Sequence, residues 1–190
     1  MAKYRVGYIV GSLAKGSINR KLAMALAQIA PDALELSEIP IKDLPLYSYD
    51  FDKDYPPVAT EFKDAIKGAD AILIVTPEYN RSIPGGLKNA LDWASRPYGT
   101  NVFAHKPTAV IGASPGAIGT AVGQQALRPI LGFLQAPQLG GPEAYIQFKS
   151  GLIDDEGNIT VPETESFLRG YLDAFEQFIA HQLTRVEGEA

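Results

Sequence analysis

The stretch Ala71-Ile72-Leu73-Ile74-Val75-Thr76-Pro77-Glu78-Tyr79-Asn80 decides the fold class of this 190-residue chain. Five consecutive aliphatic residues stand between Asp70 and the stiff Thr76-Pro77 break. A run of that length without polar alternation reads as a strand buried on both faces, as in a parallel sheet covered by helices on each side. The flanks agree. Val58, Phe62, Ala65 and Ile66 precede the run at helical spacing, and Leu87, Ala90, Leu91 and Ala94 follow it, with Pro84 where a helix begins and Trp93 at the margin of the stripe.

Outward from there the alternation repeats. Residues 5–10 form an apolar run ending at Gly11-Ser12, after which Ile18, Leu22, Ala25, Leu26 and Ile29 recur with helical period. Residues 33–39, 108–112 and 144–148 read as further strands, 118–134 as a helix, and the segment from Pro162 as a last helix whose apolar face includes Leu168, Tyr171, Leu172 and Phe175. Residues 40–57 are rich in Pro, Tyr and Asp without period and read as a long surface loop. Strands and helices alternating five times predict an α/β three-layer sandwich, with a five-stranded parallel sheet and right-handed crossovers. The flavodoxin-like strand order 2-1-3-4-5 is expected, in one domain over residues 1–185 with a polar tail at 186–190. Ligands of such sheets lie outside the carboxyl ends of the strands at the topological switch point, so the loops after the first, third and fourth strands become the candidate site.

Composition narrows the chemistry. The chain has no cysteine, which removes disulfides, thiolate nucleophiles and cysteine-based metal centres. Its two histidines, His105 and His181, are far apart and read as surface residues, so neither a histidine metal site nor a serine triad is expected. A net charge of −5 argues against a general nucleic-acid binder. No apolar run is long enough to span a membrane, and the N-terminus lacks the pattern of a signal peptide; the cytoplasm is the expected location.

The first loop, Gly11-Ser12-Leu13-Ala14-Lys15-Gly16-Ser17-Ile18-Asn19, has the outline of a phosphate cradle: small residues and glycines at the start of a helix, where unpaired amides and the helix dipole favour an anion. Ser12, Ser17 and Asn19 are candidate hydrogen-bonding partners and Lys15 or Arg20 candidate cations; alternatively, Ser17 only caps the helix. Ser17 stands where a Walker A loop requires Lys, and the G-x-G-x-x-G dinucleotide fingerprint is missing, so a mononucleotide fits better. In the second loop Pro77 and Pro84 add stiffness, Gly85 and Gly86 permit close approach, and Tyr79 offers a ring to a planar ligand; Asn89, Asp92 and Trp93 read as fasteners between this loop and its helix. The third loop, Ala113-Ser114-Pro115-Gly116-Ala117-Ile118-Gly119-Thr120, offers amides to the polar edge of such a ligand, although turn geometry alone also explains its glycines.

Together, Gly11-Ser12-Leu13 with Ser17 and Asn19, Pro77-Glu78-Tyr79-Asn80, and Pro84-Gly85-Gly86-Leu87-Lys88-Asn89-Ala90-Leu91-Asp92-Trp93 resemble the NADPH-dependent FMN reductase family, in particular its bacterial quinone and chromate reductase branch. The resemblance spans nearly the whole chain. It implies that Ser12, Ser17 and Asn19 hold the FMN phosphate, that Pro77, Glu78, Tyr79 and Asn80 line the flavin ring, and that Ser114, Gly116 and Gly119 close its other edge. It also implies NADPH or NADH as electron donor, ping-pong hydride transfer to quinones or other small acceptors (chromate, azo or nitro compounds, ferric chelates), and a homodimer or homotetramer in which residues 47–51 reach a neighbour's flavin. Because the cofactor performs the chemistry, no catalytic acid, base or nucleophile is assigned. Two departures stand out: Ala14 where relatives usually carry Arg, and Thr120 where many have a further Gly. A flavodoxin-type electron carrier and a non-enzymatic FMN-binding module are the alternative readings.

Overall fold

A computed structural model describes residues 3–188. Five parallel strands, β1 (Tyr4–Val10), β2 (Leu34–Glu38), β3 (Ala71–Val75), β4 (Thr108–Ser114) and β5 (Ala144–Gln147), form one sheet in the order β2-β1-β3-β4-β5. Five α-helices cover it: α1 (Ile18–Ile29), α2 (Pro57–Gly68), α3 (Gly85–Ser95), α4 (Ala121–Phe133) and α5 (Pro162–Gly188). The doubly wound α/β architecture is the expected one. The last helix continues to Gly188, past the point where the polar tail was placed, and residues 189 and 190 of that tail lie outside the described residues.

The buried strand at the centre shows why the pattern was legible. Ala71, Leu73 and Val75 face α1 and α5, whereas Ile72 and Ile74 face α2, α3 and α4, and all five are fully buried. Period 2 therefore divides an unbroken apolar run between two cores. On the first face, Leu168, Tyr171, Leu172, Phe175 and Ile179 of α5 meet Leu22 and Leu26 of α1. Each such side chain fully withdrawn from water contributes about 1.5–3 kcal/mol. The Tyr171 hydroxyl, buried with them, donates to the Val110 carbonyl oxygen at 2.9 Å, which leaves neither group unsatisfied.

Two expectations are corrected here. Trp93 is not marginal: it is completely buried, and residues 40–57 are not a free loop. That segment includes a short 3-10 helix (Tyr49–Lys53) and folds back as a strap over α3. The rings of Tyr47, Phe51 and Tyr55 lie 5.1, 5.6 and 5.0 Å from the Trp93 ring, and its indole N–H donates to the Pro45 carbonyl oxygen at 2.7 Å. Asn89 accepts from the Tyr47 amide at 2.8 Å and donates to the same Pro45 oxygen at 2.9 Å. Asn89 and Trp93 thus fasten the strap, not the second loop; Asp92 pairs with Lys88 on the helix surface. The aromatic residues that made this segment look irregular are what hold it down.

Candidate functional site

Three loops converge at the carboxyl ends of β1, β3 and β4, around a cavity of about 230 Å³. The first loop contributes Ser12, Gly16, Ser17, Ile18 and Asn19; the second Pro77, Glu78 and Tyr79; the third Ala113, Ser114 and Pro115. Asn80, Gly116 and Gly119 do not reach it. Gly16, Ile18, Ala113 and Pro115 join the lining although no residue-type argument singled them out; only their place beside predicted site residues pointed to them.

Each loop has a local reason for its shape. Ser17 caps α1 from extended backbone (φ −67°, ψ 120°), its hydroxyl oxygen accepting from the Arg20 amide at 3.2 Å. The hydroxyl proton remains available to a ligand, so capping and ligand binding are compatible. Between Ser12 and Asn19 no main-chain amide meets an acceptor among the described residues, and the Ser12 hydroxyl makes no hydrogen bond to them either, although the residue is largely buried. Unpartnered amides at the positive end of a 12-residue helix form a cradle that suits an anion.

Asn19 behaves differently from its neighbours. Only 1% exposed, it donates to the Ala113 carbonyl oxygen and accepts from the Ala113 amide, both at 2.9 Å. Its amide is committed to bracing α1 against β4, which holds the first and third loops in register. The sequence assigned it to the phosphate; the structure gives its side chain a bracing role at the cavity wall.

Glu78 is the sole acid among the lining residues, and it is turned away. Its carboxylate accepts from the Gly123 amide at 2.8 Å, in the first turn of α4, and from Arg81 at 3.0 Å. The helix N-terminus and the guanidinium offset a charge that would otherwise repel an anion in the cradle. Asn80 and Arg81, at φ 51° and 63°, form the tip of a tight reversal in which Tyr79 and Ser82 exchange main-chain hydrogen bonds of 2.9 and 3.0 Å. Two successive left-handed residues define a type I′ turn, which Asn favours. The reversal leaves Tyr79 half exposed at the mouth of the cavity.

In the third loop Gly116 donates to the Ser114 hydroxyl oxygen at 3.2 Å, and Gly119, at φ 57°, lies so near β5 that a Cβ there would sit 2.7 Å from the Tyr145 carbonyl carbon. These two glycines shape the turn behind the cavity. Thr120 is fully buried and accepts from Gln124 at 2.9 Å. Of the two candidate cations, Arg20 is held by Glu38, whereas exposed Lys15 in the first loop has no ion-pair partner among the described residues.

The residues present fit a phosphorylated ligand with a planar ring: amide donors and two hydroxyls at one end, Pro77, Pro115 and the Tyr79 ring at the other. At about 230 Å³ the cavity is smaller than the usual pocket for a drug-sized ligand, so part of such a ligand would extend beyond its walls.

Comparison with known proteins bears on what that molecule is. The family model described as NADPH-dependent FMN reductase matches residues 4–151. A 2-hydroxy-1,4-benzoquinone reductase of Burkholderia sp is 47% identical over 175 residues, covering 92% of this chain and 96% of the relative. A quinone reductase of Escherichia coli is 40% identical over 185 residues, covering 93% and 96%. Among solved structures, the flavoenzyme NAD(P)H:(acceptor) oxidoreductase FerB from Paracoccus denitrificans superposes with a TM-score of 0.90 at 44% identity, covering 94% of this chain and 98% of that one.

Proposed function

The chain belongs to the NADPH-dependent FMN reductase family of oxidoreductases, and on that premise we propose that it oxidises NADPH or NADH and reduces a quinone or a similarly small acceptor at a bound FMN. When bound, FMN supplies the relay, taking a hydride from the nicotinamide and giving its two electrons to the acceptor. The observation that carries the reading is the cradle of unpartnered amides at the start of α1, facing the Tyr79 side of the same cavity.

This chain's own residues bind and orient. The amides of residues 12–19 and the hydroxyls of Ser12 and Ser17 hold the phosphate, and Lys15 adds charge in place of the Arg that Ala14 replaces. Pro77, Glu78, Tyr79 and Asn80 form the edge against which the ring rests, the first three through the cavity wall and Asn80 through the turn that positions Tyr79. Ser114 contributes at the third loop, while Gly116 and Gly119 set its path. Asn19 keeps the two sides together. None of these residues need exchange a proton with the substrate; positioning and an electropositive setting suffice.

The reading extends to a ping-pong order, in which donor and acceptor use one open face in turn, and to a cytoplasmic homodimer or homotetramer. Exposed Leu46 and Tyr49 on the strap over α3 support a subunit contact there. Sedimentation at micromolar concentration tests the oligomer, and parallel double-reciprocal plots test the order.

The deciding experiment is an anaerobic titration of FMN-reconstituted protein with NADPH and with NADH, followed by a quinone. Bleaching of the flavin absorbance and its full return are expected. If FMN binds but neither coenzyme bleaches it, the reductase reading gives way to an electron carrier or a binding module.

A further inference from the structure

On the other side of the first loop from the cofactor cavity lies a larger hollow, about 400 Å³, at the carboxyl ends of β1 and β2. Val10 closes its base as the last residue of β1, Leu13 and Ile41 form apolar walls, and Arg20, Glu38 and Lys42 bring charge. Nothing in the reductase reading of the neighbouring cavity uses these residues.

The charged groups are arranged to receive an anion. Arg20 Nη1 donates to both Glu38 carboxylate oxygens, at 2.9 and 2.8 Å, which anchors the guanidinium at one nitrogen. Its Nε and Nη2 donors have no partner among the described residues. The Lys42 side chain is 72% exposed, and its ammonium stands 3.8 Å from Asp43, too long for a hydrogen bond. Of the two cations lining the hollow, Arg20 is hydrogen-bonded to Glu38 and Lys42 is only loosely paired with the exposed Asp43, in a chain whose net charge is −5. An anchored guanidinium with two open donors and an exposed ammonium that no carboxylate hydrogen-bonds suit a phosphate, and apolar walls suit a ring attached to it.

We propose that this hollow binds the adenosine phosphate half of NADPH, with the 2′-phosphate between Arg20 and Lys42. The assignment rests on the reductase reading of the adjacent cavity. The first loop is a wall of both sites, with Ser12 and Gly16 lining the cofactor side and Leu13 the other, so a dinucleotide anchored in the hollow lies next to the loop that holds the cofactor. Arg20 and Lys42 are then specificity-determining residues: NADH, lacking the 2′-phosphate, does not use them.

The test uses FMN-reconstituted protein and adenosine 2′,5′-bisphosphate, with 5′-AMP as the control ligand. Calorimetry should show the bisphosphate binding more tightly than 5′-AMP and competing with NADPH. Because Lys42 is exposed, Lys42→Ala keeps the fold. This variant should weaken the bisphosphate and raise the NADPH KM by about five- to tenfold, the loss of one charge-assisted contact, while the NADH KM moves less than about twofold. If the bisphosphate does not bind, or binds equally to parent and Lys42→Ala, the proposal is wrong. If NADPH bleaches the flavin but its KM is indifferent to Lys42→Ala, this inference fails and the reductase reading stands. If neither coenzyme bleaches the flavin while the bisphosphate still binds through Lys42, the nucleotide site holds and the reductase reading fails.

Discussion

Replacing Asn19 by alanine separates bracing from ligand binding at the cofactor cavity. The substitution removes two hydrogen bonds of 2.9 Å and leaves the amide and carbonyl of Ala113, a residue with no solvent exposure, without partners. An orphaned buried polar group costs about 1–3 kcal/mol, so two cost about 2–6 kcal/mol, reduced where water enters the vacated space. A loss of about 3 kcal/mol corresponds to a fall in Tm of about 6–12 °C for a chain of this size. The measurement is thermal unfolding of the FMN-free protein by circular dichroism, paired with FMN affinity by fluorescence quenching. A Tm within about 1 °C of the parent, together with FMN affinity lowered more than about tenfold, would refute the reasoning: the side chain would then be a phosphate ligand and not a brace.

The strap over α3 predicts a spectroscopic signature: because Trp93 is the chain's one tryptophan, Asn89→Ala, which leaves the Tyr47 amide without its acceptor and Pro45 held by the Trp93 indole alone, should red-shift intrinsic fluorescence and lower stability by about 1–2 kcal/mol, and an unchanged spectrum would count against the strap. Gly112 admits no larger residue, since a Cβ there would stand 2.1 Å from the Thr76 carbonyl oxygen; Gly112→Ala should cost at least about 3 kcal/mol in urea unfolding. Burial, assisted by nearby Lys67, lowers the pKa of Lys63 to about 8, where its ammonium donates to the Arg96 carbonyl oxygen and to Thr100. The folded chain releases this proton near pH 8 and the unfolded chain near 10.5, so between those values the unfolded state holds more protons and raising the pH favours folding. Relative to Lys63→Met, the parent should therefore gain stability across that window, by at most about 1.4 kcal/mol per pH unit; parallel profiles would show that Lys63 is not desolvated.

How much was legible in the sequence follows from the range of each interaction. Period 2 and period 3.6 are local consequences of backbone geometry, so the alternation of apolar residues placed all five strands and all five helices within a few residues. The unbroken run 71–75 could only belong to a strand covered on both sides, and with the crossover rule it led to the sheet order. The three loops were legible for the same reason, since a parallel sheet presents its βα turns at one edge. Side-chain partnerships within those loops were not. Asn19 meets Ala113 across 94 residues, Glu78 meets Gly123 across 45, and Asn89 meets Tyr47 across 42. Each looks from the sequence like a polar residue free to take a ligand, or like a fastener of its own loop, because spacing carries no information about what the fold brings opposite it. Trp93 was misplaced likewise: it looked marginal from its helical spacing, and the rings of the returning strap, distant in sequence, pack on it to complete its burial. Sequence periodicity by itself determined the layers, the strand order and the edge where a ligand binds; tertiary packing alone decided which side chains at that edge are satisfied by the protein and which remain open to a ligand.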